Sequence, residues 1–316
     1  MTGLPTWRSA WQEALYGAGG FFRREAPCAH FRTSVHASPL FAQALVRLAR
    51  EAGLDTVVDI GAGRGELLAT VHAIDPSLSL LGVEVAARPD GLPRGIGWQP
   101  ALPGSIDGLV VANEWLDNVP CEVVEVDDDG TPRLVHVDPA TGSEHLGDPV
   151  TDPAGPPGLA AWLEEWWPVA EPGLRAEVGT ARDQAWADVV GRVRRGLAVA
   201  VDYGHTRDDR PPFGSLRSYR EGVELEVVPD GSRDVTAHVA VDAVAAAAGG
   251  RLLRQRDELR RLGVHGERPA LDLARSAPAS YLSELSRASE AAELTDAAGL
   301  GGFFWVITEV EAPPKP

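Results

Sequence analysis

Short apolar runs alternate with amphipathic stretches along most of the 316-residue chain. "DTVVDI", "LSLLGVE", "DGLVVANE" and "GLAVAVDYG" are brief, nearly continuous apolar segments, the pattern of strands buried on both faces. "GIGWQP" fits a further strand, and "FFWVITEVE" closes the chain with aromatic and β-branched residues that favour one. Between these runs, "SPLFAQALVRLAREAG" spaces its apolar positions for a helix, with Ser38 as N-cap, Pro39 at the first helical position and Gly53 as the stop. "ELLATVHAI" reads as a second helix, directly after the first run. This alternation predicts an α/β fold, a Rossmann-like open sheet with helices on both faces.

Two stretches break the rhythm. "CEVVEVDDDGTPRLVHVDPATGSEHL" holds two alternating runs around Asp129-Gly130 and predicts a hairpin. Residues 148–158 are rich in Pro and Gly and predict a connection to helices around 159–195. Residues 206–300 read as a polar insertion, irregular at first and then helical. The expected organisation is an N-terminal helical or lid region over 1–51 and a single domain over 52–316, with insertions at about 121–158 and 206–300.

The chain carries 46 acidic and 29 basic residues, a formal charge of -17. That balance argues against a nucleic-acid partner, because such affinity comes mostly from neutralising phosphates. It suits a cationic substrate or partner. No segment reaches the roughly 18–20 apolar residues of a membrane span, and the N-terminus lacks the apolar core of a secretory signal. Cys28 and Cys121 form neither a disulfide framework nor a zinc pattern. No metal site and a cytoplasmic location are the resulting expectations.

"DIGAGRGEL" sits between a predicted strand and a predicted helix, where a glycine turn can hold a ligand. Gly61, Gly63 and Gly65 allow a tight turn and a close approach to bare backbone. A nicotinamide or flavin fingerprint wants its third glycine at position 66, which is Glu66 here. A carboxylate at that helix start repels a pyrophosphate. S-adenosyl-L-methionine (SAM) carries no phosphate and suits the turn better, with Asp59 ending the first strand. Glu84 ends the next strand and is placed to accept from both ribose hydroxyls. After the third strand, Trp98 and Gln99 are candidate adenine contacts, with a core position the other reading for Trp98.

"LVVAN" should end at the carboxyl edge of the sheet, where open α/β sheets bind ligands. Asn113 would face the cofactor there. Glu114 and Asp117 lie three apart, and a helical turn would bring them to one face. Two carboxylates near a sulfonium suit an amino or cationic acceptor. A guanidinium presents a planar fork of donors that carboxylates can clamp while accepting the released proton.

"ANEWLDNVPCEVVEV" resembles the N-E-F-F-D-A-L-P-V signature of the MidA-like methyltransferases, which include a mitochondrial complex I assembly factor that methylates an arginine of a complex I subunit. Further pieces occur in that family's order: "ALYGAGGFF", "HFRTSVHASPLFA", "DIGAGRGEL", "AVDYG", "GSLRSYR", "DVTAHV" and "QRDELRRLG". Together they span roughly residues 13–265. The resemblance implies a class I SAM-dependent methyltransferase, with cofactor contacts at Gly61, Gly63, Gly65, Glu84 and Asn113. It puts Glu114 and Asp117 near the acceptor and has Thr33 help close the cofactor pocket. His30 stands where the family has aspartate, and Val35-His36 where it has Pro-Glu; these departures bear on the acceptor rather than the cofactor.

The leading expectation is therefore transfer of a methyl group from SAM to nitrogen, with a protein arginine as acceptor. A small-molecule acceptor on the same scaffold and a non-catalytic SAM-binding assembly factor are the alternatives. Residues 206–300 would serve as a lid or as the surface of a homodimer. Asp202 and Tyr203 either line the acceptor channel or make structural hydrogen bonds. His36 is a candidate general base, His238 a structural histidine and Cys121 an inert thiol. Trp162 and Trp166 share a helix face and read as core or an insertion interface.

Overall fold

The computed structural model describes residues 3–24 and 33–311. They belong to two compact units, a sheet unit of Arg32–Asn113, Arg192–Val201 and Arg251–Pro316, and an accessory unit of Met1–Phe31, Glu114–Gly191 and Asp202–Gly250. The first 51 residues are thus divided between the units at 31/32, and the 206–300 stretch at 250/251.

The sheet unit is built on seven strands: β1 (Thr56–Ile60), β2 (Ser79–Val83), β3 (Ile96–Gln99), β4 (Ile106–Asn113), β5 (Val193–Asp202), β6 (Arg251–Arg254) and β7 (Phe304–Val310). Their order is β6-β7-β5-β4-β1-β2-β3. The β1–β2, β2–β3, β1–β4 and β4–β5 pairs are parallel, and β6 runs antiparallel to β7. The order reverses between β1 and β4, which makes their carboxyl ends the crevice that such sheets use for ligands.

Successive residues 109–112 of β4 are all buried, so the strand is covered on both faces, which explains its unbroken apolar run. Leu67, Leu68 and Val71 of helix Glu66–Ile74 and Phe41 and Leu45 of helix Pro39–Glu51 pack with Leu109, Val111 and Val199 in one core. Ser38 caps the latter helix by accepting from Leu40 N at 3.0 Å, Pro39 is its first residue, and Gly53 follows its end at φ 65°. Strand β6 was not expected: it lies within the stretch read as a helical insertion. "RLLR" gives only two apolar positions, too few to reveal a period.

In the accessory unit, strands Glu144–Pro149, Pro132–Val137, Glu122–Val126 and Arg175–Val178 form an antiparallel sheet in that order. Its centre is the expected hairpin, turning at Gly130 with φ 80°. The outer strands escaped the reading, because neither has a run long enough to stand out. Trp7, Trp11 and Leu15 of helix Trp7–Tyr16 pack with Val123, Val135 and Val137. Trp162 and Trp167 lie in a second core beyond the sheet, and half-buried Trp166 packs against it under Arg207, whose guanidinium sits 4.9 Å from the ring centre. Among the described residues, no helix is long and apolar enough to cross a membrane.

His205 is 3 % exposed, edge-on to Trp167, with its Nδ1 2.7 Å from Nη1 of Arg210. Burial and then the Arg210 charge depress the imidazole to about 3. In the unfolded chain its value is near 6.5. As pH falls below that value the unfolded state takes up a proton that the folded state refuses, so stability declines between about pH 6.5 and 3. His205→Gln should flatten this decline, narrowing the loss between pH 7 and pH 5 by about 2 kcal/mol in urea titrations. The raised carboxyls, such as Asp183 at about 6, act in the opposite direction and cancel in the comparison. Parallel curves for the two proteins would rule the imidazole out as the cause.

Candidate active site

The β1 end, the turn after it and the β2 end lie together within the sheet unit. Gly61, Gly63 and Gly65 all adopt positive φ, at 70°, 55° and 78°, a conformation that L side chains resist. Gly61 N donates to Val83 O at 2.9 Å and ties the turn to β2. A Cβ at Gly65 would lie 2.7 Å from the Leu92 side chain and 3.3 Å from Trp98. A Cβ at Gly63 would meet nothing nearer than Glu66 Oε2 at 3.6 Å, so the turn is packed below and open above. Gly65 begins helix Glu66–Ile74, and Glu66 Oε2 accepts from Arg64 N at 3.0 Å.

Glu84 comes directly after β2 and is half-buried. Its Oε2 accepts from Gly63 N at 3.0 Å and its Oε1 from Ala86 N at 3.1 Å. Burial raises its carboxyl above the usual range against the pull of these backbone donors. Each oxygen keeps a further lone pair, so the carboxylate can take both hydroxyls of a ribose without releasing the turn. Asp59, 4 % exposed at the β1 end, is pushed well above the carboxylate range by burial and then by the charges of Glu84 and Glu66. Asp59 is thus a buried residue of the strand that leads into the turn. Trp98 is half-buried, donates to Ala86 O at 3.1 Å and packs under Gly65 and Gly82 as a wall of the core. Gln99 donates to Ala101 O.

Thr33 precedes the short helix Ser34–Ala37. Its Oγ1 is 2.8 Å from His36 Nδ1, and His36 Nε2 is 3.6 Å from Glu66 Oε1. His36 thus links Thr33 to the helix that starts at the glycine turn. Burial raises the Glu66 carboxyl, but the His36 hydrogen bond and backbone donors outweigh it and leave the group below its ordinary value. His30 and Cys28 lie outside the described residues.

Asn113, half-buried, is the last residue of β4, and Glu114 follows it with φ 50°. A residue with a side chain is uncommon there, and such strain concentrates at functional sites. The helical turn expected to align Glu114 with Asp117 starts later, as a single 3₁₀ turn over Leu116–Asn118. Glu114 stands outside it, so the shared-face geometry does not apply.

Within the accessory unit that turn is fixed from several directions. Asp202 Oδ2 accepts from Leu116 N at 3.0 Å and Asp117 N at 3.2 Å. Arg182, 1 % exposed, donates to the carbonyls of Asp117, Val119 and His238 at 2.7, 3.1 and 2.7 Å. Asn118 Nδ2 donates to Asp234 Oδ1 at 3.0 Å. Asp117 is 4 % exposed; its Oδ2 accepts from Tyr203 and Thr236, and its Oδ1 is buried without a hydrogen-bond partner. Burial raises the Asp117 carboxyl, partly offset by the Tyr203 and Thr236 hydroxyls and by Arg182. It raises Asp202 and Asp234 well above the usual range, with the Asp117 charge adding to both. Asp202 therefore makes the structural hydrogen bonds that the sequence left as one of two readings. Arg182, Asp234 and Thr236 were not among the candidate site residues; "DVTAHV" entered as one of the pieces in the resembling family's order and through His238, and nothing local marks an arginine that will bond three carbonyls. Cys121 is buried, and burial lifts its thiol to about 11.

No curated protein matches the chain. Among solved structures, a COG1565 superfamily member from Burkholderia thailandensis, bound to S-adenosyl-homocysteine, is 25 % identical with a TM-score of 0.76, over 97 % of this chain and 88 % of that one. A native crystal structure of a COG1565 superfamily protein from the same organism is 24 % identical with a TM-score of 0.78, over 97 % and 87 % of the two chains, and supports the fold. The profile of the family described as "Putative S-adenosyl-L-methionine-dependent methyltransferase" matches residues 84–256, more than half of the chain, from Glu84 through Asn113, Glu114 and Asp117 to Tyr203 and Thr236. The chain belongs to that family: it is an α/β methyltransferase whose cofactor is S-adenosyl-L-methionine.

Proposed function

We propose that this methyltransferase acts on a nitrogen acceptor, and that the acceptor is an arginine side chain of a protein, as in the MidA-like enzymes that "ANEWLDNVP" resembles. The observation that carries the reading is Glu114, a charged residue held at φ 50° directly after the strand end at Asn113. Asp117 follows with one buried oxygen unpartnered. The net charge of -17 favours a cationic substrate in the same direction.

When bound, SAM supplies a methyl group activated on a sulfonium sulfur. Gly61, Gly63 and Gly65 give its amino-acid and ribose portions close access to backbone, and Glu84 accepts from the ribose hydroxyls. Asn113 orients the reacting end. Glu114 accepts from the guanidinium fork and holds one nitrogen in line for displacement, so much of the rate enhancement is positioning. A guanidinium stays protonated in water, and the nitrogen that gains the methyl group must shed a proton. A carboxylate beside it takes that proton.

A small-molecule acceptor is the second reading. It is favoured by His36, which stands where the resembling family carries glutamate and is engaged with Thr33 and Glu66. Incubation with methyl-tritiated SAM and an extract of the source cells separates the two. Label in the precipitated protein supports the first reading, and label confined to the filtrate supports the second.

A further inference from the structure

We infer that Tyr203 is a positioning residue for methyl transfer: with Thr236 it holds one oxygen of Asp117 so that the other is presented to an N–H of the acceptor. This rests on the acceptor-side role given to Asp117 above. The Tyr203 hydroxyl donates to Asp117 Oδ2 at 2.5 Å. Thr236 Oγ1 lies 2.8 Å from the same oxygen and 2.5 Å from the Tyr203 oxygen. Two side chains from distant parts of the chain therefore converge on Oδ2, while Oδ1 is buried and has no hydrogen-bond partner. A buried carboxylate oxygen without a donor is unfavourable, and in native proteins such a group calls for a specific reason, of which a role at a reacting site is one.

The arrangement leaves little freedom. Leu116 N, Asp117 N and Asp117 O are fixed by Asp202 and Arg182, so the backbone beneath the carboxylate is held. With Oδ2 occupied, rotation of the carboxylate would break the bond to Tyr203 or the one to Thr236. One oxygen is offered, to one N–H. Asp117 thus serves as a single-point contact that sets the rotation of the acceptor group.

The test is a double-mutant cycle on tritium transfer from SAM into the protein fraction of the cell extract. Asp117→Asn should lower transfer on the order of 100-fold, within the range for a positioned acid–base group. Tyr203→Phe should lower it about tenfold in the parent and by less than about twofold in the Asp117→Asn background, with SAM affinity and thermal midpoint near parental values. Thr236→Val makes the same test should the tyrosine variant fail to fold. A tenfold fall in both backgrounds would overturn the inference, because it would place the effect of Tyr203 elsewhere than on Asp117. So would parental transfer by Tyr203→Phe. Parental transfer by Asp117→Asn would instead remove Asp117 from the acceptor side, whatever Tyr203 does.

Discussion

Glu84→Ala is expected to raise the dissociation constant for SAM about 100-fold, or about 2.7 kcal/mol. Hydrogen bonds to a charged acceptor contribute about 1.5–3 kcal/mol each when the partner is otherwise well placed. Glu84 is expected to accept two from the ribose while also receiving Gly63 N and Ala86 N. Alanine removes both ribose contacts and leaves two backbone donors without their acceptor, which loosens the turn as well. Part of the loss returns through water, which is why the figure falls short of two full charged bonds. Calorimetric titration of parent and variant measures it, with NADH as the control ligand. A change below about threefold would assign Glu84 to holding the turn alone.

Glu114→Gln should leave SAM affinity within about twofold and lower turnover on the order of 100- to 1,000-fold, the range for a positioned acid–base group. Glutamine keeps the shape of the side chain and removes the charge and the proton acceptor. A structural role for Glu114 would predict the reverse pattern, loss of stability with turnover spared. Glu114→Gly adds a second contrast. At φ 50° glycine pays little conformational penalty, so this variant should be as stable as the parent or slightly more so while losing turnover. A residue that strains the backbone and can be removed without loss of stability is one kept for chemistry. Unchanged turnover in the glutamine variant would take Glu114 out of the mechanism.

How far the sequence could be read follows from how local each feature is. The strands β1, β2, β4, β5 and β7 were legible because burial on both faces writes a continuous apolar run, and the Pro39–Glu51 helix because Ser38, Pro39 and Gly53 mark its ends. The glycine turn was legible for the same reason: its requirements are met by adjacent residues. Strand β6 was hidden by its length, and the accessory unit by its composition from separate pieces of chain. The carboxylate of Asp117 meets residues 86 and 119 positions away, Tyr203 and Thr236, and no periodicity records such a meeting. Asp202 shows the same limit. Its position after a strand suggested an edge residue, while its capping of the 3₁₀ turn emerged only in three dimensions. The aligned pair Glu114 and Asp117 failed for a different reason, because spacing by three implies a shared face only if the helix has begun.

The acceptor is tested most directly by the identity of the methylated side chain. Protein labelled by the parent enzyme with methyl-tritiated SAM in cell extract would be hydrolysed to amino acids and separated against methylated standards. Radioactivity in a methylarginine, absent when Glu114→Gln replaces the parent, is the predicted result. Label in methyllysine or a methyl ester, or none in protein, would contradict the arginine acceptor.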